Sequence, residues 1–172
     1  MPLRPLLAEE QIQKRILEMA AQIDADYPDG ILFLICILKG ACYFLADLSR
    51  AIRRDVRIDF MGISSYGSGK TTSGEVKITK DLDISLENTH VLIVEDLIDS
   101  GITLHYLINL LQQRNPKSIR TTTLLEKPQR RQNAVRVDYV GFQIPDEFVV
   151  GYGLDYAEKY RNLRGIYILD GE

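Results

Sequence analysis

Residues 91–103 read Val-Leu-Ile-Val-Glu-Asp-Leu-Ile-Asp-Ser-Gly-Ile-Thr, and no other stretch of the chain restricts its fold as much. Val91, Leu92, Ile93 and Val94 are apolar and mostly β-branched, with no polar face. That is the pattern of a strand covered by helices on both sides, as in a parallel α/β sheet. Ligands of such sheets sit beyond the carboxyl ends of the strands. Two adjacent acids, Glu95 and Asp96, fall there, followed by the turn Asp99-Ser100-Gly101-Ile102-Thr103. Gly101 can take backbone angles that other residues resist, and Ser100 and Thr103 carry hydroxyls. The free amides of a helix beginning at Leu104 complete a phosphate cradle.

Three carboxylates beside a phosphate would repel it unless they face uncharged hydroxyls or a bridging metal ion. A sugar phosphate meets that condition. Glu95 and Asp96 can accept hydrogen bonds from the two hydroxyls of a ribose, each charge-assisted bond being worth roughly 1.5–3 kcal/mol. Asp99 then falls near the ring. A helix cap would account for one acid, since Asp is favoured there, and would leave the other two unexplained.

The rest of the chain supplies a matching framework. Ile12, Ile16, Met19 and Ile23 form a helical stripe over 8–25, and Phe44, Leu45, Leu48 and Ile52 another over 41–53. Strands are predicted over 31–38, 56–63, 75–79, 118–125, 139–142 and 149–152, and a helix over 104–114. Residues 64–74, rich in Ser, Gly and Thr, read as a mobile loop at the tip of a hairpin in which 75–79 pairs with 57–62. No repeat or linker divides the chain, so residues 1–172 read as a single domain; its 45% hydrophobic and 26% charged residues suit a globular protein. The formal net charge of -3 argues against a nucleic-acid-binding surface. Cys36 and Cys42 read as buried, reduced thiols and His90 and His105 as structural. No apolar run reaches the roughly 18 residues needed to span a bilayer, so a cytoplasmic protein without a membrane partner is expected.

Residues 91–103 resemble the phosphoribosyl pyrophosphate motif of the type I phosphoribosyltransferases, with Ser100 where that motif usually has Thr. Leu38-Lys39-Gly40-Ala41, Ser64-Ser65-Tyr66-Gly67, Leu125-Glu126-Lys127-Pro128 and the long block 140–156 narrow the likeness to the hypoxanthine-guanine branch in its short bacterial form. The similarity extends from about Leu38 to about Leu163. It implies an α/β fold, with a mainly parallel twisted sheet flanked by helices, a small hood and a flexible hairpin loop that closes over the site. It also implies transfer of a phosphoribosyl group from phosphoribosyl pyrophosphate to a 6-oxopurine, Mg²⁺ as cofactor, and a homodimer or homotetramer. A xanthine-preferring enzyme and a nucleotide-sensing regulator on the same fold are the alternatives.

The resemblance also distributes roles among residues. Glu95, Asp96, Asp99, Ser100, Gly101, Ile102 and Thr103 would bind the phosphoribosyl group, and Asp99 would take the proton of purine N7. Lys39, Gly40, Ser65, Tyr66 and Arg161 would meet the pyrophosphate, with an unusual cis peptide at Lys39-Gly40. Lys127, Phe148, Val149 and Asp155 would hold the purine. Of these, Lys127 would donate to the 6-oxo group, Phe148 would stack on the base, and the Val149 backbone would read its edge. Asp155, Glu95 and Asp96 would serve the metal. From the residues themselves, Asp155 follows a flexible Gly-Tyr-Gly turn that could bring its carboxylate to a hard cation, and the five donors of Arg161 suit a phosphate-rich ligand.

Overall fold

The computed structural model describes residues 1–65 and 76–171, apart from the side chain of Ser65. Tyr66 and most of the loop expected over 64–74 lie outside the described residues. In chain order the elements are β1 (Leu3–Leu7), α1 (Glu9–Asp26), β2 (Leu32–Leu38), α2 (Cys42–Ala51), β3 (Val56–Ser65), β4 (Val76–Lys80) and β5 (His90–Ile98). Then come α3 (Ile102–Gln112), β6 (Ser118–Glu126), β7 (Tyr139–Gln143), β8 (Val149–Val150) and β9 (Ile166–Leu169).

Strand β2 is apolar along its whole length and buried from Leu32 to Ile37, so it must lie inside a sheet. Six strands run in the order β4-β3-β2-β5-β6-β7, all parallel except the edge strand β4. Alternate residues of β2 serve opposite faces, as the two-residue period of a strand requires. Leu34 and Cys36 pack with Ile12, Ile16, Phe44 and Leu48 from α1 and α2. Ile35 and Ile37 pack with Leu104, Leu107 and Leu111 from α3. Each fully buried side chain of this kind contributes about 1.5–3 kcal/mol, which fixes the sheet between its helices. The expected α/β architecture is therefore present.

Several boundaries differ from expectation. β5 does not stop at Val94 but runs on through both acids to Ile98, because β6 continues beside it, pairing Glu95 with Thr123 and Ile98 with Glu126. α3 begins at Ile102, two residues earlier than expected. The hairpin pairs Val76–Lys80 with residues 62–65 of β3 rather than 57–62; Val76 is the buried residue of β4, and this register buries it. Cys42 is exposed, because it opens α2 off the inward stripe of Phe44, Leu45 and Leu48, and both cysteines are free thiols.

A second, three-stranded antiparallel sheet, β1-β9-β8, forms the hood. Strands β1 and β9 went unread in the sequence: they are short, β1 contains Pro5, and they pair across nearly the full chain length, Leu3 with Leu169. β8 ends at Val150, short of the expected 152, because Gly151 turns the chain at φ 99°.

Candidate active site

The strand order places a crevice. From β2 the sheet grows one way to β3 and β4 and the other way, from β5, to β6 and β7. Such a reversal is where parallel sheets bind ligands, beyond the strand carboxyl ends. Pairing between β2 and β5 stops at Cys36 and Val94, whereas β5 and β6 stay paired to Ile98. The end of β2 thus peels away from the end of β5, and a cavity of about 230 Å³ opens between them. Gly40 from the β2 side and Glu95, Asp96, Asp99, Ser100, Gly101 and Thr103 from the β5 side line it. Ile102 is not in this lining; it faces a neighbouring cavity with Arg130 and Arg131.

The turn into the cavity contains a non-proline cis peptide at Leu38-Lys39, one bond before the Lys39-Gly40 bond implied by the resemblance. Neither bond involves proline, so the sequence carries no signal that separates them. Gly40 is needed by space: a side chain there would collide with the Asp96 carboxylate on one side, and the hood residue Gly153 presses on the Gly40 carbonyl from the other. The hood is thereby docked against the cleft wall.

Glu95 is buried and Asp96 partly so, in adjacent positions of β5. Burial, with the charge of Asp96, pushes the Glu95 carboxyl well above the usual carboxylate range. Burial raises Asp96 as well, against the opposing pull of the Leu97 N–H, which donates to its Oδ1, and of Arg161. Beyond them Gly101 sits at φ 83°, a conformation that costs glycine little, and is the cap residue before α3. The Ile102 N–H reaches Ser100 Oγ at 3.3 Å, and Thr103 and Leu104 of the first turn line the cavity. Arg131 packs where a side chain on residue 101 would stand and is ion-paired to Glu126.

Asp99 joins this floor to a chain of charged residues that ends at Lys127. Its Oδ2 accepts from Arg130 Nη1 at 3.4 Å, while its Oδ1 is buried with no hydrogen-bond partner among the described residues. Arg130 Nε also contacts Asp146 Oδ1 at 2.8 Å, and Asp146 lies 3.8 Å from the Nζ of Lys127. Lys127 is buried, and its own N–H donates to Ile98 O at 3.0 Å, tying the residue just past β6 to the end of β5. Phe148 is 39% exposed and packs T-shaped against Tyr156, centroids 5.8 Å apart. Val149 is buried in β8 opposite Ile168.

Lys39, Asp155 and Arg161 meet at a third corner. Arg161 donates to the Gly153 carbonyl at 2.8 Å and pairs with Asp155 Oδ1 at 3.1 Å. Lys39 and Arg161 both pair with Glu158, at 3.0 and 3.2 Å. Ser65 and Tyr66 cannot be placed in the site, since the Ser65 side chain and all of Tyr66 lie outside the described residues.

Among the described residues no group of three or more His, Cys, Asp or Glu side chains could enclose a metal ion. The donors on offer are oxygens only, from Glu95, Asp96 and Asp155. That set fits Mg²⁺, which takes one or two protein carboxylates and completes its shell with water and phosphate oxygens. The raised Glu95 and Asp96 carboxyls would both be stabilised as anions by a nearby cation.

Four charged residues of the site had been given no role: Arg130, Arg131, Asp146 and Glu158. The paired arginines just after the end of β6 were the available signal. Asp146 and Glu158 carry none, because only the folded chain brings them to the cations.

A family model described as a phosphoribosyl transferase domain matches residues 5–157. The chain is 52% identical over 164 residues to the hypoxanthine-guanine phosphoribosyltransferase of Bacillus subtilis, covering 95% of this chain and 91% of the relative. It is 50% identical over 167 residues to a bifunctional TilS/HprT protein of Listeria innocua, covering 97% of this chain but 26% of that longer relative. The crystal structure of a hypoxanthine phosphoribosyltransferase from Staphylococcus aureus superposes with a TM-score of 0.94 at 49% identity, covering 96% of this chain and 90% of the other.

Proposed function

The chain belongs to the phosphoribosyltransferase family, in its hypoxanthine-guanine branch, and from that premise we propose how its cleft divides the reaction among three corners. It is a purine salvage enzyme, moving the 5-phosphoribosyl group from phosphoribosyl pyrophosphate to N9 of hypoxanthine or guanine and releasing pyrophosphate. In the proposed arrangement the 5-phosphate rests on the turn 99–103 and the first-turn amides of α3. Glu95 and Asp96 accept from the ribose hydroxyls. Lys39, Gly40 and Arg161 receive the pyrophosphate, and Lys127, Phe148, Val149 and Asp155 the base.

Bond breaking at the anomeric carbon leaves positive charge on the ribose and negative charge on the departing pyrophosphate. The floor carboxylates stabilise the first, Glu95 and Asp96 as anions once a cation is bound beside them, and the Lys39 and Arg161 corner stabilises the second. N9 bonds to the anomeric carbon while the N7 proton passes to Asp99. Mg²⁺, held through Glu95, Asp96 or Asp155, would supply further charge neutralisation on the pyrophosphate oxygens. Lys127, a donor, accepts company from a 6-oxo group and not from the 6-amino group of adenine. The enzyme is assigned to the cytoplasm, as a homodimer or homotetramer.

The observation that carries this reading is Asp99. It stands between the phosphate cradle and the Arg130-Asp146-Lys127 chain with a buried oxygen free of any partner among the described residues. A spectrophotometric assay with phosphoribosyl pyrophosphate, Mg²⁺ and a panel of free purines tests it. Turnover of hypoxanthine and guanine with adenine inert is expected, and turnover of adenine at a comparable rate would refute the base assignment.

A further inference from the structure

Tyr156 and Lys159 exchange backbone hydrogen bonds of 3.1 and 3.0 Å, closing a two-residue turn on Ala157 and Glu158. Both central residues are left-handed, at φ 50° and 63°. Such a turn normally takes Gly, Asn or Asp, and residues with longer side chains persist there only where the surroundings hold them. The turn projects the Glu158 carboxylate between two cations. Oε2 lies 3.0 Å from Lys39 Nζ and Oε1 lies 3.2 Å from Arg161 Nη2, while the Glu158 N–H donates to Asp155 Oδ2 at 2.9 Å. Lys39 comes from the end of β2, so one carboxylate ties the hood to the core across the mouth of the cleft.

We propose that Glu158 is a built-in counter-anion for pyrophosphate: it holds Lys39 and Arg161 together in the free enzyme and gives them up when pyrophosphate binds. The inference rests on the reading that these two cations meet the pyrophosphate. Exchange is feasible because Glu158 and Lys39 are both well exposed, where water already screens their attraction. Glu158 is thus a positioning residue that weakens pyrophosphate binding and eases its release.

The test is titration of magnesium pyrophosphate into the wild-type enzyme, Glu158→Gln and Glu158→Asn, with KM for hypoxanthine measured alongside. Asn tolerates the left-handed turn, so at least one variant keeps the backbone while removing the charge. Both should bind pyrophosphate several-fold more tightly, with the gain shrinking as salt is added and the KM for hypoxanthine unchanged. Unchanged or weaker pyrophosphate affinity in both would overturn the proposal. Lys39→Gln separates the two levels. If it binds pyrophosphate as well as wild type, the assignment of this corner fails; if it binds less well while the Glu158 variants gain nothing, only the counter-anion role fails.

Discussion

The floor of the cleft and the corner of Lys39, Glu158 and Arg161, proposed to receive pyrophosphate, use the same carboxylate chemistry and end in opposite electrostatic states. On the floor, Glu95 and Asp96 are neighbours on a strand, withdrawn from water, and both are pushed up by burial. At the corner, hydrogen bonding to Lys39 holds the exposed Glu158 below the usual carboxylate range, and Arg161 adds to it. Position on the fold decides the sign. A strand buried between helices forces two acids together, whereas a surface turn lets acids and bases alternate. The floor is left wanting a ligand and the corner has supplied its own.

If chemistry belongs to the floor and the corner only holds the leaving group, the largest loss should come from Asp99→Asn. The amide can still hydrogen-bond but cannot take the N7 proton. Turnover should fall by about 10²-fold or more, with affinity for phosphoribosyl pyrophosphate little changed. Near wild-type turnover would remove Asp99 from the mechanism and break the contrast. Next in size is Lys127→Ala, which should weaken hypoxanthine and guanine binding by roughly 1.5–3 kcal/mol, the cost of a charged hydrogen bond, and spare the phosphoribosyl donor. Equal losses for base and donor in binding titrations would mean that the buried Lys127 supports the fold and not the base.

The two regions were also unequally legible in the sequence. The floor is written in thirteen consecutive residues, where apolar run, acids and Gly101 turn follow one another in the order the strand and helix need them. Even so, its acids were expected at the end of β5 and lie inside it, because only the pairing with β6 extends the strand. The corner is assembled from residues 119 positions apart, Lys39 and Glu158, and no local pattern announces such a contact. The hood that carries Glu158 depends on pairing between the two ends of the chain. Lone charges such as Arg130 and Asp146 likewise gain meaning only from the neighbours that the fold gives them.

The smallest expected effects are on stability, and they set the two regions directly against each other. Glu95 has a folded pKa raised above its ordinary 4.5. Well below 4.5 both folded and unfolded chains carry the proton and the residue is neutral to stability. As pH rises from 4.5 through the folded value, the unfolded chain ionises freely while the folded one must hold a proton or a buried charge, so stability falls and stays lowered at pH 7. Glu95→Gln removes that penalty. The ligand-free variant should therefore melt higher than wild type at pH 7, by about 2–4 °C for each kcal/mol recovered, and the difference should vanish toward pH 4. Glu158 has the opposite sign, its lowered pKa adding stability above the unfolded value that is lost as pH falls, but its pairs are exposed and screened. Glu158→Gln should leave the melting temperature at pH 7 where it was. Differential scanning calorimetry of the two variants across pH 4–8 measures both. A Glu95→Gln enzyme that melts lower at pH 7, or a Glu158→Gln enzyme that gains as much as Glu95→Gln, would show that the floor is not where the ligand-free protein bears its electrostatic cost.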